Sequence, residues 1–190
     1  MSLEVLDWRR RTFALYREVR SEPDPAAGFA LWCSGRRAMF SGHPASPRPS
    51  AVLRYAPYDP TLRFEVALAP AGEPARLEIP TGTDGVVPFE RIGRVELDGV
   101  GGLDVWWLDS YGGGVWLPLR DTSDQTYGGG RYLLDTVKGA DLGGGDDGLI
   151  VDLNFAYNPS CAYDAAWACP LAPPGNVLAA PVPVGERSFS

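Results

Sequence analysis

Lysine and histidine are almost missing from this chain of 190 residues: Lys138 is the only lysine and His43 the only histidine. Basic residues of either kind are scarce as well, 17 Lys and Arg against 24 Asp and Glu, which leaves a formal charge of −7. That balance argues against a protein whose main business is binding nucleic acid, because such binding rests on neutralising phosphates with a basic face. Long apolar runs are lacking too. None approaches the ~20 residues of a spanning helix, and the opening Met1–Arg11 scatters charges through what would be the apolar core of an export signal. No membrane association is expected, and the cytoplasm is the default location. Cysteine is limited to Cys33, Cys161 and Cys169. In a reducing compartment these are expected to stay as thiols, so a structural disulfide is not expected. The preference for arginine over lysine, with abundant Ala, Gly and Pro, fits a GC-rich bacterial genome and says little about function.

What is present suffices for one globular domain over residues 1–190, since 45% of the residues are hydrophobic and 22% charged. Residues 1–42 read as a helical segment. From Leu3 to Arg20, Val5, Trp8, Thr12, Leu15 and Val19 recur at spacings of three and four, widened by Phe13 and Tyr16. Asp24-Pro25 then reads as an N-cap with proline in the first turn, opening a second helix that carries Phe29, Trp32, Met39 and Phe40 and ends near Gly42.

After the proline-rich connector His43–Pro49 the period drops to two, and residues 50–190 read as a β domain. Phe64, Val66 and Leu68 alternate with Arg63, Glu65 and Ala67, and similar runs occur at Arg76–Ile79, Pro88–Arg91, Arg94–Asp98, Leu103–Leu108, Val115–Arg120, Tyr132–Val137, Leu149–Tyr157 and Val177–Val184. Short spacing and glycine-rich turns predict a mainly β fold, an antiparallel meander forming a barrel or sandwich of about eight strands, with two N-terminal helices. Pro118 cannot donate to a ladder and marks an edge or a bulge.

Specialised side chains gather in the last third. Tyr127-Gly128-Gly129-Gly130-Arg131-Tyr132 is followed by Asn154-Phe155-Ala156-Tyr157-Asn158-Pro159-Ser160-Cys161-Ala162-Tyr163 and by Cys169-Pro170-Leu171. Backbone amides of the glycine run beside the Arg131 guanidinium would suit a carboxylate or phosphate, although the setting of a nucleotide-binding glycine loop is lacking. The eight-residue gap between Cys161 and Cys169 and the distant His43 do not make a zinc site, and no thiol–histidine pair is oriented for catalysis. Asp146-Asp147 lack the alternating ligands of a calcium loop. No metal and no cofactor is therefore expected. Trp106 and Trp116, if on one open face of neighbouring strands, would line a ligand cleft.

These segments resemble a bacterial and archaeal family, domain of unknown function 1684. The resemblance rests on Asp7-Trp8-Arg9-Arg10-Arg11 with Phe13, Tyr58-Asp59-Pro60, Arg91-Ile92-Gly93, the three C-terminal segments above, Pro173-Pro174, Asn176 and Gly185-Glu186, and so extends over nearly the whole chain. The chain departs from the family pattern in a shortened segment at 45–55. The resemblance implies a shared fold and no assigned activity.

Two readings of the C-terminal residues stay open. In the first they form a site for a small anionic ligand, in a binding protein or a metal-independent hydrolase. Arg131 would hold the anion, Tyr127, Tyr132 and Tyr157 would supply walls and hydroxyls, Asn154 and Asn158 would fix orientation, and Cys161 and Tyr163 complete the candidate set. In the second the protein is a non-catalytic structural or protein-interaction module, and the same residues lock the C-terminal loop onto the sheet. An Arg131 adjoining a cavity favours the first; an Arg131 enclosed by protein acceptors favours the second.

Overall fold

The computed structural model describes residues 3–81, 85–145, 148–167 and 169–189. Leu3–Ser21 forms α1 and Pro25–Gly42 forms α2. The chain reverses between them because Asp24, in extended conformation, accepts a hydrogen bond from the Ala26 N–H at 3.0 Å, while Pro25 occupies a position whose N–H would be unpaired anyway. Leu15, Tyr16 and Val19 of α1 and Phe29, Trp32, Met39 and Phe40 of α2 are buried. Trp32 satisfies its buried indole N–H by donating to the Tyr16 hydroxyl at 3.0 Å. Phe13 differs from expectation: it stays 48% exposed.

Eight strands follow among the described residues: β1 (Arg63–Ala67), β2 (Ala69–Pro70), β3 (Arg76–Thr81), β4 (Gly85–Leu97), β5 (Gly101–Leu108), β6 (Gly114–Leu119), β7 (Arg131–Asp135) and β8 (Gly148–Asp152). All pair antiparallel. The larger sheet runs β2-β4-β5-β6-β7, with β3 sharing an edge of β4, and β1 and β8 form a second, two-stranded sheet. The fold is mainly β and sandwich-like, without barrel closure. The runs at Pro88–Arg91 and Arg94–Leu97 belong to one strand, β4, which shifts register between Arg91 and Gly93 and so turns from β3 towards β2. Gly93 permits that approach, since a Cβ there would lie 2.6 Å from the Ala69 carbonyl oxygen. Pro118 sits at the register shift between β6 and β7, where a ladder donor is dispensable.

Both faces of the larger sheet are packed. On one, Val95, Leu97, Leu103, Val105, Leu117 and Leu133 join Trp32 and Phe29 of α2 and Val151 of β8 in the main core. On the other, Phe89, Trp106, Trp116 and Tyr132 form a smaller aromatic core. Trp106 and Trp116 are cross-strand partners, each 3% exposed, so together they fill a core instead of lining an open cleft.

Three expected strands end early or do not form, each for a local reason. β7 stops at Asp135, where a 3-10 turn over Thr136–Lys138 begins. β8 stops at Asp152, whose carboxylate accepts from the Asn154 N–H at 3.0 Å and caps a 3-10 turn over Leu153–Phe155. Val177–Val184 builds no ladder. Pro181 and Pro183 have no N–H to give, and the carbonyls of Val182 and Val184 accept from Arg131 instead of from a strand. Consecutive β7 and β8 do not form a ladder either: β8 pairs with β1, and the Tyr132–Tyr157 bridge links the two segments. Asp146 and Asp147 lie outside the described residues.

Candidate functional site

Arg131 opens β7 directly after Gly130, whose φ of 94° turns the chain inward. Its side chain is 1% exposed. Nη2 donates to Asp121 Oδ2 and to the Val182 carbonyl, both at 2.8 Å, and Nη1 donates to the carbonyls of Val184 and Glu186. The Asp121 side chain is itself 2% exposed. Burial pulls the Arg131 pKa below its ordinary value and the Asp121 carboxylate opposes that shift; a guanidinium remains charged under both influences. The pair is therefore a neutral, buried unit whose charge is already matched within the chain.

Glu186, whose carbonyl accepts from Arg131, forms a second buried centre through its carboxylate. Gly185, at φ 76°, lets the backbone pass where a Cβ would lie 2.7 Å from the Ala156 carbonyl oxygen. The Glu186 carboxylate then accepts from Arg36 Nη2 at 2.8 Å, from the Asn158 N–H at 3.0 Å, and from the Tyr163 hydroxyl. Burial pushes its pKa up, and Arg36 is the first influence holding it down. Arg36 lies over the rings of Trp32, Phe40 and Tyr157, at 5.2, 5.3 and 4.8 Å from their centroids, so its cation is enclosed by aromatic faces as well as by Glu186. Asn158 donates from Nδ2 to the Arg187 carbonyl at 2.8 Å. Its Oδ1 is buried with no partner among the described residues. Tyr163, 3% exposed, packs against Phe40 and Phe189.

The other candidates fall into separate groups. Asn154 is fully buried: Oδ1 accepts from the Asp59 N–H, and Nδ2 donates to the Asp59 carbonyl and to Asp152 Oδ1, all at 2.8 Å. It ties the 58–62 segment to the end of β8. Tyr132 and Tyr157 meet edge to face at 5.8 Å, and the Tyr132 hydroxyl donates to the Pro170 carbonyl at 2.5 Å. Tyr127 and Cys161 form the last group, both half-buried; burial pushes the Tyr127 phenol up, and Cys161 is the next influence in the same direction.

Structure thus links Arg131, Asn158 and Tyr163 through Glu186 and sets Asn154 and Tyr127 apart. Open grooves exist elsewhere. One of about 320 Å³ lies between β1 and β8, beside Glu65, Val66, Gly145 and Leu149; another of about 380 Å³ lies beside α1 and α2 at Arg17, Glu18 and Leu31. Neither is lined by any of the eight candidate residues. Among the described residues no three of His, Cys, Asp and Glu converge to hold a metal ion, and no helix is long and apolar enough to cross a membrane.

Sequence reading did not single out two partners that organise this region, Asp121 and Arg36, and named a third, Asn176, only within the family resemblance. Asp121 reads locally as a turn residue, which it also is, since its Oδ1 accepts from the Ser123 N–H at 2.8 Å. Arg36 looks like one of the solvated arginines of an amphipathic helix. Asn176, with no exposed surface, accepts from Trp106 Nε1 at 2.9 Å and donates to the carbonyls of Asp104 and Pro118 at 2.8 and 2.9 Å. Its sequence signals are the family resemblance and its place in the Pro-Pro-Gly-Asn run of a loop.

Residues 51–187 match the model of a family described as a protein of unknown function, DUF1684. The matched segment starts after both helices. An uncharacterized protein from Haloarcula marismortui, solved by solution NMR, superposes with a TM-score of 0.59 at 29% identity, covering 85% of this chain and 92% of that chain. No curated protein matches the chain.

Proposed function

The chain belongs to the DUF1684 family of proteins of unknown function, and from that premise, with no activity to carry over, we propose that it is a non-catalytic structural or protein-interaction module whose specialised C-terminal residues lock its own tail. One observation carries the reading: Arg131 is buried, ion-paired with a buried Asp121, and committed to three backbone carbonyls of residues 182–186. An arginine that binds a ligand anion needs a donor pair open to solvent and an unmatched charge. Here the negative partner is a side chain of the same molecule. Tail carbonyls that would otherwise be stranded between prolines gain a charged donor, which is what a lock requires. We place the protein in the cytoplasm of a bacterium, with neither nucleic acid nor membrane as a partner, on its acidic charge and its arginine-rich composition.

The reading is tested by titrating the purified protein with inorganic phosphate and with acetate at constant ionic strength while following thermal unfolding. Expected is no saturable rise in the midpoint, because no anion displaces Asp121. A saturable stabilisation that disappears in Arg131→Lys would restore the small-anion site.

A further inference from the structure

One edge of the large sheet is left unused. β3 has a single ladder partner, β4, and among the described residues no strand pairs with its other side. Two hydrogen bonds show which of its backbone groups face that open side. The Ala75 carbonyl accepts from the Arg91 N–H at 2.9 Å, so position 75 points towards β4; the Pro88 carbonyl, opposite Glu78, accepts from the Asp109 N–H at 3.0 Å on the β5 side and so offers Glu78 nothing. Pairs along an antiparallel ladder alternate between bonded and non-bonded. Leu77 and Ile79 therefore bond to β4, whereas Arg76 and Glu78 turn both N–H and C=O outward. The side chains of Arg76 and Glu78 are exposed. On the opposite face of the strand Ala75, Leu77 and Ile79 are half-buried against the smaller aromatic core. Pro74 and Pro80, which have no N–H, bound the stretch on either side.

We infer that this edge docks a second copy of the chain, β3 against β3 about a two-fold axis at Leu77, which gives the protein-interaction reading its partner and rests on that reading. The register sets Arg76 opposite the partner's Glu78, and Glu78 opposite the partner's Arg76. Each of these pairs exchanges both backbone hydrogen bonds through groups that face outward in the single chain, and opposite charges stand directly across the ladder. On the other face Leu77 meets the partner's Leu77 and Ala75 meets the partner's Ile79, so two half-buried apolar strips become one. Neighbouring registers fail on chemistry. Centring on Arg76 or on Glu78 sets like charges opposite each other and brings Pro74 or Pro80 into the ladder, and a slip of one residue sets outward groups against inward ones and the charged face against the apolar one. Charges and prolines ordinarily blunt an edge. Here they admit one register and stop the ladder at both ends, which closes a pair instead of building a stack.

The test is sedimentation of the whole chain from about 10 µM to about 1 mM, the range in which a small interface of one strand pair is half-occupied. Expected is a shift from monomer to dimer with no larger species, and slower exchange of the Arg76 and Glu78 amide protons at the high end. Arg76→Glu and Glu78→Arg should each stay monomeric, because each sets like charges across the ladder, whereas an equal mixture of the two should form a mixed dimer, since each supplies the charge the other lacks. Glu78→Pro removes an outward N–H without touching the β4 ladder and should also stay monomeric. Urea unfolding of each variant at low concentration reads its fold. A wild-type monomer at the highest concentration, open-ended larger species, variants that associate like the wild type, or a monomeric mixture of two folded charge variants would each overturn the proposal. The wild-type measurements stand even if a variant does not fold. The edge uses none of the residues of the C-terminal lock, so its failure would leave the lock, tested by anion titration, as it stands.

Discussion

Two arginine clusters in this molecule use the same chemistry in opposite surroundings. On the open edge of the large sheet Arg76 reaches Glu90 at 3.0 Å and Asp109 at 2.8 Å with about half of its side chain in solvent (49%). At the C-terminal lock Arg131 reaches Asp121 at the same 2.8 Å with 1% exposed. Distance does not distinguish them; dielectric does. Water screens the first cluster and competes for its hydrogen bonds, so its loss leaves the carboxylates solvated. In the second, removing either partner leaves a charge and several carbonyls with neither water nor a donor.

The contrast is broken most severely by Arg131→Ala, which is expected to lose about 3–5 kcal/mol in urea unfolding at neutral pH, because it strands a buried carboxylate. Next comes alkali. Burial raises the phenols of Tyr16, Tyr55, Tyr58, Tyr132 and Tyr157 above the ordinary 10.0, and the Cys169 thiol from 9.0 to about 11. Each group stays neutral in the folded chain at a pH where the unfolded chain ionises it. The stability they contribute is full below their unfolded values and is lost as pH rises. Unfolding free energy should therefore begin to fall near pH 9.0 and steepen past 10.0; a rise over that range would contradict the burial of these groups. Asn176→Ala is expected to cost about 2–3 kcal/mol, since it leaves one indole N–H and two carbonyls without partners in the interior. Loss of the Trp106 anchor should also show as a change in tryptophan fluorescence. At the small end, Arg76→Ala should leave the urea midpoint where it is in the wild type.

Much of this was legible before any coordinates. The Asp24-Pro25 cap, the period change after Pro49 and the glycine turns each report a local preference of the backbone, and local preferences survive into the fold. The tail was not legible for the opposite reason. Val177–Val184 alternates like a strand, but its hydrogen bonds are decided by Arg131, roughly fifty residues earlier in the chain. Which carbonyls a guanidinium meets is a tertiary fact that no period encodes. The same holds for the candidate site. Arg131, Asn158 and Tyr163 stood out by residue type, whereas Asp121 and Arg36, which neutralise the charges there, look like a turn residue and a helix-surface residue until the chain is folded.

The most direct test of the lock is a double-mutant cycle over Arg131 and Asp121, using Arg131→Met, Asp121→Asn and the combined variant, each unfolded in urea. The account predicts that each single substitution is strongly destabilising and that the double variant loses clearly less than the sum, with a coupling of at least about 1 kcal/mol, because the second change removes the charge that the first left unpaired. Additive losses, or an Arg131→Met variant as stable as the wild type, would contradict it and return Arg131 to the role of a ligand-binding residue.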